Sequence, residues 1–282
     1  MTNDRMPRAL EPADYAEPAC LLCGEPFGEP ERFRPVPMDR VRQKLDELEG
    51  RRDYAGAERQ LRYWLEEARL GRDRRGEFSL QNERMGFYRK QGRRTEAFRC
   101  AEEALALIPE LGIGDSVAAG TCYVNCATVC DAFGEPERAL PYFAQARDIF
   151  EQRLSPTDPL LGGLYNNMAL ALAQLGRCAE AMELFARAID IMSTKPGGEP
   201  EQAVTWLNMA DTVCARDGAE ADEAEIQNCL ERAAALLDAP GPARDGYYAF
   251  VCEKCAPGFD YYGWFAYASE LKARAEAIYA GA

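Results

Sequence analysis

Asparagines recur along this chain at a spacing that could serve recognition. Asn82, Asn166 and Asn208 stand whole multiples of 42 residues apart, and Asn125 and Asn167 are themselves 42 apart. A carboxamide offers two donors and an acceptor oxygen with two lone pairs. A row of them can bridge the N–H and C=O groups of an extended peptide whatever its side chains. Each such bond is worth only ~0.5–1.5 kcal/mol net, so several must act together. The adjacent pair Asn166-Asn167 interrupts LYNNMALALAQLGRCAEAMELFARAID, residues 164–190, which is otherwise built of strong helix formers. Asparagine competes with a helix for backbone partners, so two of them in such a segment call for a reason. One asparagine near a helix start is accounted for by capping or by a bond to a neighbouring hairpin. A periodic ladder gives ligand contact equal standing with that account.

Two cysteine pairs raise a different chemistry. Cys20-Leu-Leu-Cys23-Gly24 has the form of half a zinc knuckle, and Cys252 and Cys255 make a second pair of the same spacing. Together they would supply four thiolates for zinc or a redox switch. The pairs lie about 230 residues apart, and the second falls within a helical pattern, so a buried, unreactive role is preferred for both. Cys122, Cys126 and Cys130 occupy one helix face and read as small core residues. Eleven cysteines in a chain with no export signal are expected to be reduced thiols. Histidine is absent altogether, which removes the commonest general base and metal ligand. There is no phosphate-cradling glycine loop and no nucleophile setting either. The chain is therefore not expected to be an enzyme.

The elements that must position these groups are helices. Of 282 residues, 47% are apolar, and alanine, leucine, glutamate and arginine dominate over strand formers. The formal charge of −14 repels phosphate backbones, so nucleic acid is not an expected partner. No run of 18 apolar residues predicts a membrane span, and the N-terminus lacks the apolar core of a signal peptide. A cytoplasmic location is the expectation.

The helices repeat. Gly92, Gly134, Gly176 and Gly218 each follow the last by 42 residues. Ala97, Ala139 and Ala181 keep the same period, as do Ala104, Ala146 and Ala188, Phe143 and Phe185, and Tyr123 and Tyr165. In one unit, a first helix from about Gly163 to Leu175 carries Leu164, Tyr165, Met168, Ala169 and Leu172 as its apolar stripe. Gly176 breaks it, and a second helix carries Ala181, Leu184, Phe185, Ala188, Ile189 and Met192. Neither stripe can be buried alone, so neighbouring hairpins must stack.

On these residues the chain resembles the tetratricopeptide repeat. Tyr165, Ala169, Ala181, Phe185 and Ala188 match its large, small, small, aromatic and small places, and Tyr123, Ala127, Ala139, Phe143 and Ala146 match them again. The usual unit has about 34 residues; a 42-residue unit resembles the kinesin light chain variant, and LYNNMALAL resembles the opening of those repeats. End units depart from the pattern: Gln81 stands where the second has its large residue, Ala57 fits the first better than Ala55, and the fifth aligns on Ala233. The resemblance implies an all-α, right-handed superhelical solenoid of stacked antiparallel helix pairs. Its expected organisation is an N-terminal arm over residues 1–35, five repeats over 36–240 and a capping helix pair over 241–282. The tyrosines, Phe259, Trp264 and Phe265 of the last segment read as an aromatic cap.

The resemblance further implies that the first helix of each pair lines a concave groove. Asn82, Asn125, Asn166, Asn167 and Asn208 fall on groove places, with Arg42, Asp46, Arg89, Lys90, Thr121, Thr128, Asp131, Gln174, Thr205, Thr212 and Arg216 as neighbours that could confer selectivity. The function expected is non-catalytic binding of a peptide or extended protein segment, without cofactor. A zinc- or redox-linked regulator using Cys20, Cys23, Cys252 and Cys255 is the alternative. Self-assembly into homo-oligomers through the aromatic end, and an arm that occupies the groove, are further options.

Overall fold

The computed structural model describes residues 35–218 and 222–281, which form twelve α-helices and no strand. In chain order these are α1 (Met38–Gly50), α2 (Tyr54–Leu70), α3 (Arg74–Lys90), α4 (Arg94–Leu111), α5 (Val117–Ala132) and α6 (Pro136–Arg153). They continue with α7 (Pro159–Gln174), α8 (Cys178–Ser193), α9 (Glu199–Asp217), α10 (Glu223–Asp238), α11 (Gly246–Tyr261) and α12 (Phe265–Gly281). Successive helices pair as hairpins, and the hairpins stack into a solenoid. From α2 to α9 each second helix packs on the first helix of the next hairpin, and α3, α5, α7, α9 and α11 pack in succession.

The glycine ladder has a backbone cause. Gly92, Gly134, Gly176 and Gly218 close the turns between paired helices with φ of +67°, +76°, +72° and +57°. A Cβ is strained in that left-handed region. Gly50 stands 42 residues before Gly92, yet in the first hairpin the left-handed place belongs to Arg52, at φ +56°. Several helix starts carry side-chain caps. Asp158 accepts from the Leu160 amide at 2.9 Å and Pro159 opens α7, so this helix begins four residues before the apolar stripe that announced it at Gly163. Asp73 accepts from the amides of both Gly76 (2.8 Å) and Val36 (2.7 Å), which ties the entering chain to the start of α3.

The core is the stack of small and aromatic residues that the periodicity marks. Ala139, Ala146, Ala181 and Ala188 are sealed from solvent together with Phe143 and Phe185. Ala57 and Ala233 take the same buried place in the first and fifth hairpins. Gln81, the polar residue in a large apolar place, is fully buried, and its amide is satisfied. It donates to Glu103 and accepts from Arg84 at 2.9 Å. Among the described residues no helix is long and apolar enough to cross a membrane.

Candidate functional site

The first helices of the hairpins carry a polar seam, and the asparagines lie on it. Asn82 donates to the carbonyl of Phe78 one turn back (3.0 Å), which leaves its Oδ1 as acceptor. Asn125, on the next first helix, donates to that Oδ1 at 3.0 Å. The motif recurs between α7 and α9, where Asn208 donates to Asn166 Oδ1 at 2.9 Å and the Thr205 hydroxyl donates to the same oxygen at 3.1 Å. Asn166 in turn donates to Asn167 at 3.4 Å. These amides are half-buried and paired between neighbouring repeats. The pairing leaves capacity over: among the described residues, Asn125 and Asn208 show no partner for their Oδ1 or for their second amide hydrogen. Between α5 and α7 the seam changes chemistry, and Gln174 donates to Asp131 at 2.9 Å instead.

Two hollows open along this seam. The larger, about 560 Å³, lies against α1, α3 and α5 and brings together Arg42, Asp46, Asn82, Lys90, Thr121 and Asn125. It is crossed by ion pairs from Arg42 to Glu83 and from Lys90 to Glu49, both at 2.7 Å. The smaller, about 130 Å³, is walled by Asn166 and Asn167 of α7, Thr205 of α9, and Tyr247, Phe250 and Lys254 of α11. Tyr247 and Phe250 stack with centroids 6.5 Å apart, and each remains about half exposed, at 50% and 47%.

Charge within the concavity is unevenly matched. Burial pushes the Asp131 carboxyl up to about 6, with the Arg89 charge opposing it. Burial likewise lowers Arg89. Lys254 keeps exposed surface but is also lowered, mainly because protein surrounds it and to a lesser extent through repulsion from Arg89.

Some expected groove residues do other work. Thr212 is only 3% exposed and donates to the Asn208 carbonyl at 2.8 Å, so it belongs to the interior of α9. Thr128 donates to the Asn125 carbonyl at 2.9 Å. Arg216 pairs with Asp217 and with Glu225 of α10, which clamps its own hairpin. Threonine and arginine are common both in grooves and at seams, and spacing alone did not separate the two. The aromatics of α11 divide between a cap and a surface at the smaller hollow. Tyr248 and Phe259 do seal that end, whereas Tyr247 and Phe250 face outward.

The second cysteine pair is structural. Cys252 and Cys255 lie inside α11 at 0% and 1% exposure, and burial raises their thiols to about 11 and about 12. Protonated thiols on the apolar side of a helix are poor ligands. No group of three or more metal-binding side chains occurs among the described residues, so the zinc or redox reading finds no support there. Cys20 and Cys23 lie outside the described residues.

The geometry is that of stacked helical hairpins with a polar inner seam, and comparison with known families agrees. Residues 78–152 and 162–193 match models described as tetratricopeptide repeat. Over these segments the chain is similar to the tetratricopeptide repeat, and its 42-residue unit is similar to the repeats of kinesin light chains. The chain is 26% identical over 110 residues, 39% of its length, to Protein KINESIN LIGHT CHAIN-RELATED 3 of Arabidopsis thaliana, and this match spans only 17% of that protein. The fold is similar to the crystal structure of BtubC (BKLC) from P. vanneervenii, with TM-score 0.60 and 21% identity over 74% of this chain and 84% of that one. It is also similar to a crystal structure of a point variant of the Podosopora anserina putative kinesin light chain nearly identical TPR-like repeats, with TM-score 0.50 and 20% identity over 71% and 93% of the two chains. Repeats of this kind point to a protein–protein interaction module.

Proposed function

We propose that the chain is a non-catalytic interaction module that holds an extended polypeptide segment along its first-helix groove. The observation that carries this reading is the pairing of amides across neighbouring repeats, Asn125 on Asn82 and Asn208 on Asn166, at the edges of the two hollows. Pairing uses one donor or one acceptor of each partner and holds the amide plane still. The remaining N–H and C=O groups of Asn125, Asn167 and Asn208 are then pre-oriented for a backbone laid beside them, which lowers the ordering cost of binding. Selectivity falls to the side chains nearby: Arg42, Asp46 and Lys90 at one hollow, Tyr247 and Phe250 at the other, and Arg89 and Asp131 between.

A random peptide display library panned against the full chain tests this. Selected peptides should lose affinity about 2–10-fold against Asn125→Ala and against Asn208→Ala, as expected for one net hydrogen bond each. Circular dichroism should show helical content retained in both variants. Undiminished affinity in both would remove the amide seam from the mechanism.

A further inference from the structure

The first and last hairpins, 201 residues apart in sequence, touch. The Arg52 guanidinium, in the turn between α1 and α2, forms an ion pair with Glu253 in the middle of α11. The same guanidinium lies 5.3 Å above the ring of Tyr279, near the end of α12. The Tyr279 hydroxyl in turn donates to the second oxygen of Glu253 at 3.3 Å. One arginine thus meets a carboxylate and an aromatic face presented by the opposite end of the solenoid.

The backbone at Arg52 makes this contact more telling. Every other turn between paired helices puts glycine in the left-handed place, at Gly92, Gly134, Gly176, Gly218 and Gly263. Arg52 occupies it at φ +56°, where an L residue is strained. Arg72, the other such residue, lies in the tight α2–α3 connection at φ +54°, and among the described residues its side chain makes no ion pair or cation–π contact of this kind. Strain retained at one position is explained when the side chain there does something glycine cannot. Here it reaches across to Glu253 and Tyr279.

We propose that Arg52, Glu253 and Tyr279 form a latch that closes the solenoid end to end, and that its release opens the concave groove sideways. The ion pair is exposed, with 56% and 37% of the two side chains accessible, and pairs of that kind are weak. The cation–π contact adds to it modestly. Such a latch closes reversibly, and with it shut a polypeptide reaches the groove along the superhelix axis. The proposal concerns the protein alone, so its test is independent of any ligand.

Small-angle X-ray scattering of the full chain, compared with Arg52→Gly and Glu253→Gln, reads the latch directly. Arg52→Gly removes the guanidinium while giving the turn the residue its backbone favours, so the hairpin remains folded, and circular dichroism checks this. Both variants should show a larger radius of gyration and maximum dimension than the wild type. In Arg52→Lys, a water-soluble carbodiimide should condense the introduced amine with the Glu253 carboxylate. Mass spectrometry should find this intramolecular cross-link and lose it when Glu253→Gln is added. Superimposable scattering curves for all three proteins, or no link between positions 52 and 253, would overturn the proposal.

Discussion

Replacing Gly120 by alanine sets two rules of helix stability against each other. Glycine within a helix costs roughly 0.5–1 kcal/mol relative to alanine, so the change should help wherever there is room. Gly86 in α3 and Gly163 in α7 have such room, since a Cβ on either meets nothing within 4 Å. Gly120, near the start of α5, does not. A Cβ there would stand 2.4 Å from Cε1 and 2.8 Å from Cδ1 of Phe150, the aromatic near the end of α6. Phe150 is 1% exposed and packed in the cluster that includes Ala146, Leu161, Leu164 and Tyr165. Its ring must move by more than about 1 Å to restore ordinary contact, and the cluster leaves it no open side. Overpacking of this kind costs about 1–3 kcal/mol. After the helix gain, Gly120→Ala should destabilise by up to about 2.5 kcal/mol, with roughly 1 kcal/mol at the middle of both ranges. Thermal unfolding followed by circular dichroism should show a melting point lower by about 2–6 °C, whereas Gly86→Ala should raise it. Adding Phe150→Leu should recover part of the loss, because the two positions are in contact and their effects do not add. If Gly120→Ala stabilises the chain as Gly86→Ala does, then α5 and α6 do not approach at this point and the packing argument fails.

Two further outcomes follow from buried titrating groups. The Asp131 carboxyl, normally near 3.8, is raised to about 6 by burial. The folded chain then holds that proton more tightly than the unfolded chain, so stability falls as pH rises through the window from 3.8 to about 6. Asp131→Asn should flatten this slope, raising the melting point above wild type at about pH 7 and matching it below the window; identical pH profiles would contradict the assignment. Burial also keeps Cys252 and Cys255 protonated, so iodoacetamide at mild alkaline pH should spare both in the native protein and label both after denaturation. Rapid native labelling of either would show that α11 is not packed as described.

The hairpins were readable from sequence because their causes are local. A left-handed turn wants glycine at Gly92, Gly134 and Gly176 whatever surrounds it, and Ala181, Phe185 and Ala188 lie on one helical stripe by periodicity alone. The asparagine seam was only half readable. Spacing placed Asn82, Asn166 and Asn208 on equivalent positions, but not Asn125 donating to Asn82 or Asn208 to Asn166. Those bonds depend on how closely one first helix approaches the next, a distance set by residues on both. Spacing could not settle Thr128, Thr212 and Arg216 for the same reason: a hydroxyl or guanidinium suits a groove and a seam equally, and its nearest neighbour decides.

Sequence alone thus determined the all-helical class, the hairpin unit and the small-and-aromatic core, since each rests on interactions within one or two turns of chain. Only the tertiary structure decided which end meets which. The rotation from one hairpin to the next is small and accumulates over the whole stack. It is that sum, carried by no single residue, that puts Tyr247 and Phe250 beside Asn166 and Asn167, and Arg52 against Glu253.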